Sequence, residues 1–187
     1  TAVATVTATD ADGPSLTYSI AGGADAARFT IDASTGALGF VTAPNFEAAT
    51  DSSADNVYDV VVQASDGALT ATQSLAVGVS NVNEAPTALA PGSAAVNIQA
   101  LGGTSVATLV ATDPDTGDAI SFSLVDDGGG RFAVDAASGQ LSVASGARLD
   151  DQGGTPFVLV VRVTDAAGLT YEQPFTVSLR GLPAPLP

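Results

Sequence analysis

The groups best placed to do chemistry in this sequence are carboxylates and side-chain amides. Asp10-Ala11-Asp12-Gly13 and Asp113-Pro114-Asp115-Thr116-Gly117 carry acids on alternate residues. Asp66 and Asp165 each stand before turn residues, and Asn45-Phe46-Glu47 and Asn81-Val82-Asn83-Glu84-Ala85-Pro86 add further oxygens. In an extended loop, Asp-x-Asp spacing aims two carboxylates at one ion. Calcium takes about six to eight oxygen ligands from carboxylates, amide and backbone carbonyls and water. Two carboxylates about 4 Å apart repel by about 1 kcal/mol in water and about 4 at an effective dielectric of 20, so gathering several of them favours a cation. Magnesium fits less well, because it keeps its waters and demands tight octahedral geometry. Zinc finds no His or Cys here. The competing reading is that Asp and Gly are ordinary turn formers. Recurrence of the same acidic set, beside a linker rich in Asn and Glu, favours the metal.

Composition narrows the classes. The 187 residues hold 20 acidic and 5 basic side chains, for a formal charge of −15. That balance argues against nucleic acid or an anionic membrane as partner and favours a cationic one. The plain alternative is a solubility device. Hydrophobic residues make up 45%, too many for a disordered chain. No apolar run approaches the ~20 residues of a membrane span. Without Cys, disulfide and thiolate chemistry is absent. The lack of His, Cys, Lys and Trp removes most catalytic nucleophiles, bases and sugar-stacking platforms, so the chain reads as a non-enzyme.

The acids must be positioned by a repeated unit. Asp10 and Asp113, Asp12 and Asp115, Phe29 and Phe132, Gly36 and Gly139, and Leu38 and Leu141 are all 103 residues apart. Beyond a deletion, Asp66 pairs with Asp165 and Leu75 with Phe175. Leu16 to Ile20 and Phe29 to Asp32 alternate apolar and polar residues, and Tyr58 to Ala64 reads as a half-buried strand that Phe157 to Val163 repeats, which predicts antiparallel strands. The expected architecture is all-β, two tandem Greek-key sandwiches. The expected bounds are residues 1–85, residues 86–180 and a Pro-rich tail at 181–187, read as a stiff extended spacer. Only the second unit has a leader containing the candidate first strand Ala94 to Ile98; the first unit is expected to lack that strand and leave an open edge.

At these residues the chain resembles the cadherin family, in the bacterial version found in large repetitive, RTX-type adhesins. The resemblance runs through Ala8 to Asp12, Tyr18 to Ile20, Phe29 to Asp32, Thr35 to Leu38, Asn45 to Glu47, Tyr58 to Asp66 and Asn83 to Pro86. It implies a seven-strand Greek-key sandwich with calcium between successive repeats. Carried over by position, Glu47, Asn81, Asn83 and Glu84 would come from the first unit and linker. Asp113, Asp115 and Asp165 would come from the second, while Asp10, Asp12 and Asp66 would be half of an earlier site. The chain departs from the family at Gln99 to Gly102, which lacks the usual Glu, and at Leu149-Asp150-Asp151, which replaces Phe-Glu. Fewer ions per junction are therefore expected than in animal cadherins.

The function expected is a calcium-binding structural and adhesive extender of a bacterial secreted or surface protein, located extracellularly. Neighbouring repeats are its expected partners, with homophilic or filament contacts through the open edge; neither nucleic acid nor membrane insertion is expected. A filament or sheath subunit and a carbohydrate- or protein-binding module are the alternatives.

Overall fold

The computed structural model describes residues 1–11, 13, 15–149 and 154–181. Asp12, Asp150, Asp151 and the tail from residue 182 lie outside the described residues. The chain divides into two compact units, Thr1–Val82 and Asn83–Pro187. Among the described residues there is no α-helix; the fold is all-β.

The first unit contains β1 (Ala2–Thr5), β2 (Thr17–Gly22), β3 (Phe29–Ile31), β4 (Ala37–Phe40), β5 (Val57–Ser65) and β6 (Thr70–Gly78). Two sheets, ordered β1-β4-β3 and β2-β5-β6, enclose Phe29, Leu38, Phe40, Tyr58, Val60 and Val62. In β5 the alternation of the sequence becomes alternation of faces. Tyr58, Val60, Val62 and Ala64 point inward, as period two requires. Phe29 and Phe40 stack with ring centroids 4.6 Å apart, and Tyr58 meets Phe40 edge-on at 5.1 Å. Such pairs add about 0.5–1.5 kcal/mol beyond their buried area.

The second unit contains β7 (Ala88–Ala90), β8 (Ser93–Asn97), β9 (Ser105–Thr108), β10 (Val110–Thr112), β11 (Ser121–Asp126), β12 (Phe132–Val134), β13 (Gln140–Val143), β14 (Phe157–Thr164) and β15 (Thr170–Arg180). Its main sheet runs β11-β14-β15-β8, with β12-β13-β9 and the short pair β10-β7 beside it. Leu159, Val161 and Val163 on β14 and Phe175 and Val177 on β15 are wholly buried. The predicted leader strand appears as β8, which runs parallel to β15. The short β7 before it was not expected.

In the first unit the opening strand is β1, the counterpart of β9. Among the described residues β6 has one strand neighbour, β5. Leu75 and Val77 on β6 stay half-buried, whereas their counterparts Phe175 and Val177 are fully covered.

One turn is built identically in both units. Asp32 Oδ1 accepts N–H bonds from Ser34 at 3.0 Å and Thr35 at 2.7 Å. Asp135 Oδ1 accepts them from Ala137 at 3.2 Å and Ser138 at 2.8 Å. Each turn ends in a glycine with positive φ, +69° at Gly36 and +66° at Gly139. A Cβ on Gly36 would run into the Val6 carbonyl oxygen, and one on Gly139 into that of Leu109. Only glycine combines that backbone with that approach.

Candidate metal centre

The second unit gathers half of the predicted ligands. Asp113 follows β10 directly, and Asp165 follows β14. Both strands give way there to turn residues, which brings the two acids to one end of the sandwich. Carboxylate oxygens of Asp113, Asp118 and Asp165 lie within 4.8 Å of one another. Those of Glu84 and Asp115 also lie within 4.8 Å of each other.

Hydrogen bonds join the set. Asp115 N–H donates to Asp113 Oδ1 at 2.9 Å, which is the turn that folds the Asp-x-Asp loop back on itself. Glu84 N–H donates to Asp115 Oδ2 at 2.8 Å. Asn83 Nδ2 donates to Asp165 Oδ2 at 2.7 Å, and Leu169 N–H to Asp165 Oδ1 at 2.7 Å. Burial alone would raise the Asp165 carboxyl. The donors from Asn83 and Leu169 outweigh burial and hold it below its usual range, so it stays ionised while only 6% exposed.

Asp113 keeps an unsatisfied acceptor. Asp113 Oδ2 is buried and accepts no hydrogen bond. A buried acceptor without a donor calls for an explanation. A hard cation supplies one, since the surrounding donor set consists of carboxylate and amide oxygens. The residues present therefore fit calcium.

Asp118 was not foreseen from the sequence. It lies five residues after Asp113, but its counterpart in the first unit is Ser15, so the repeat gave no signal for it. Its proximity to Asp113 and Asp165 is visible only in three dimensions.

The first unit holds the remaining candidates. Asp66 follows β5, and its Oδ1 accepts from Leu69 N–H at 2.6 Å and Ala68 N–H at 2.7 Å. These two donors, Leu69 the stronger, keep its carboxyl below the usual range. Asp10 stands within hydrogen-bonding reach of Asp66. Asp12, the other acid of the Asp10-Ala11-Asp12 pair, lies outside the described residues. Glu47 is exposed in the loop after β4, its N–H donating to Asn45 Oδ1 at 2.8 Å. Asn81 is exposed in the segment after β6.

Two buried acids of the first unit were also missed. Asp25 accepts from Ser52 N–H at 2.7 Å and Asp59 N–H at 2.8 Å. Asp51 accepts from Asp55 N–H at 3.0 Å and Asn56 N–H at 3.2 Å. Both tie down the loop between β4 and β5, where Ala54 and Asn56 take positive φ. Their oxygens are occupied by backbone donors, which marks them as structural.

With this geometry in view, comparison with known proteins is direct. Residues 93–180 match the family model of the cadherin domain. The solved structure of Drosophila N-cadherin EC1-4 superposes with a TM-score of 0.71 at 26% identity, covering 97% of this chain and 46% of that one. Human protocadherin-24 EC1-2 gives 0.70 at 19% identity, with 98% of this chain and 89% of that one covered. Mouse cadherin-23 EC22-24 gives 0.68 at 24%, with 97% and 59% covered. The chain thus spans less than half of the N-cadherin fragment and most of the protocadherin one. The chain has the cadherin-like β-sandwich fold, and its second unit carries the match to the cadherin domain.

Proposed function

We propose that this chain is a calcium-binding structural and adhesive extender module of an extracellular repeat protein, of the bacterial secreted or surface kind. The observation that carries the reading is the buried Asp113 Oδ2, which has no hydrogen-bond donor and lies beside Asp118 and Asp165. Calcium, when bound, supplies the positive charge that offsets repulsion within the cluster. Asp113, Asp115, Asp118 and Asp165 hold it from the loops after β10 and β14. Asn83 and Glu84 contribute from the connecting segment, which already bonds to Asp165 and Asp115.

Holding that segment restricts the hinge between consecutive units, so a string of them stiffens. Glu47 and Asn81 remain further ligands on the sequence reading alone. Asp10, Asp12 and Asp66 would complete a second site with a preceding repeat. The partners on this view are neighbouring repeats of the same protein. The repeat-equivalent placing of the acids suits a duplicated structural site better than a single catalytic cleft.

A second reading is a filament or sheath subunit, favoured by one observation. Strand β6 has a single strand neighbour among the described residues, whereas its counterpart β15 has two. Edge pairing with another chain would use that side.

Calcium-dependent thermal unfolding separates the readings. The native chain and Asp113→Ala are compared with calcium and with excess chelator. A large calcium-dependent rise in Tm, reduced in the variant, is the expected result. No rise would reduce the acidic loops to turns and leave the filament reading.

A further inference from the structure

The first unit contains a cavity that has nothing to do with its acidic end. It measures about 370 Å³ and lies beneath the loop that follows β4, in the size range of small-ligand pockets. Its floor is Phe40 and Tyr58, both buried; Pro44 and Ala48 form a wall; Arg28 stands at the rim.

Among the described residues, the second unit packs side chains of its own at the corresponding place. Arg131 is the counterpart of Arg28, and Phe157 that of Tyr58. The Arg131 guanidinium lies 5.6 Å from the Phe157 ring centroid, and its Nε donates to Arg148 O at 3.2 Å. Leu149, from the loop after β13, is 1% exposed and belongs to the core cluster. In the first unit no residue of the loop after β4 joins the core cluster, and its large apolar residue Phe46 is 37% exposed. The cavity of the first unit thus lies beside the loop whose large apolar residue stays outside the core.

The charge at the rim narrows the occupant. Arg28 is the single basic side chain between Thr1 and Arg131. Among the described residues its guanidinium makes no hydrogen bond or ion pair, although nine acids share its unit. A planar fork of donors over an apolar, aromatic floor matches a flat apolar body ending in one carboxylate. A cation would leave that fork unused, and the hydroxyls of a neutral sugar would pair with it less strongly than a carboxylate. We propose that the cavity binds a small organic carboxylate. Its apolar part lies on Phe40, Pro44 and Tyr58, and its carboxylate pairs with Arg28. This site is separate from the calcium reading and stands or falls without it.

The test uses the full chain and two probes of one shape, 3-phenylpropionate and its neutral amide, 3-phenylpropanamide, followed by amide NMR shifts. The carboxylate should shift Arg28, Val41, Thr42, Ala43, Asn45 and Thr50 with a Kd of about 1 mM, an ordinary efficiency for so small a ligand. Arg28→Gln, a change at an exposed side chain, should weaken the carboxylate about tenfold and leave the amide unchanged. Ala48→Phe should abolish both, with retained Tm as the check on folding. The native chain alone also decides the matter, because the carboxylate must bind more tightly than the amide. Equal binding of the two probes, equal binding to Arg28→Gln, shifts outside the cavity, or no shifts at several mM would each overturn the assignment.

Discussion

Asn83 Nδ2 donates to Asp165 Oδ2 at 2.7 Å across 82 residues of sequence. The connecting segment is thereby fastened to the hairpin between β14 and β15 before any ion is considered. Asp165→Asn keeps the shape of the side chain and removes its charge. Calcium at about one hundred times its Kd should add about 2.7 kcal/mol to the second unit of the native chain. Most of that gain should vanish in the variant, as read by calorimetry with and without chelator. An undiminished gain would remove Asp165 from the site.

Asp113→Asn should change sign with calcium. The Asn side chain still accepts from Asp115 N–H, a bond now 2.9 Å long. Without calcium the substitution relieves repulsion from Asp118 and Asp165, so stability should rise by about 1 kcal/mol. With calcium it removes a ligand, so stability should fall relative to native. Denaturant unfolding under both conditions measures the two effects. Destabilisation of equal size in both would show that the carboxylate is structural.

Glycine at the repeated turn is required twice. Gly36→Ala and Gly139→Ala combine a positive φ with a Cβ driven into a backbone carbonyl. Each should cost its own unit more than about 1 kcal/mol. Separate melting of the two units, or loss of dispersed amide signals from one of them, reports which was hit. A variant as stable as native would show that the turn can open.

Acid should destabilise both units through the same turn. The Asp32 carboxyl is held well below its usual range, first by the Ser34 hydroxyl and then by the Thr35 N–H. Asp135 is lowered by the Ser138 N–H and hydroxyl. Folded values below the unfolded one mean that the stability is fully present above the ordinary carboxyl value of 3.8 and is lost as pH falls below it. The Tm measured in chelator should therefore drop below about pH 4. Asp135→Asn should flatten that drop for the second unit alone. A flat profile in the native chain would contradict the assignment.

The contrast between Leu149 and Phe46 has a stability counterpart. Leu149→Ala should cost the second unit about 2–5 kcal/mol, since the side chain is 1% exposed in the core. Phe46→Ala, at 37% exposure in the matching loop, should cost the first unit less than about 1 kcal/mol. Chemical denaturation of both variants compares them. Similar costs would mean that Phe46 spends its time inside.

Much of this was legible in the residues. The Val-rich runs from Tyr58 to Ala64 and from Phe157 to Val163, one repeating the other, placed β5 and β14. Asp113 and Asp165 were found because each has a partner in the first unit. Asp118 was not, because Ser15 stands opposite it. The three-residue β7 gave too little pattern to read, and no motif or repeat singled out Asp25 and Asp51. Their burial follows from backbone donors that come from distant residues, which no local pattern records.

The parallel pairing of β8 with β15 bears on how the second unit meets a pulling force. Five registered pairs, from Ser93 with Thr176 to Asn97 with Arg180, lie side by side in the same direction. Tension applied through the chain before Ser93 and after Arg180 slides one strand along the other. All five pairs then resist together in shear, instead of parting one at a time like an opening zipper.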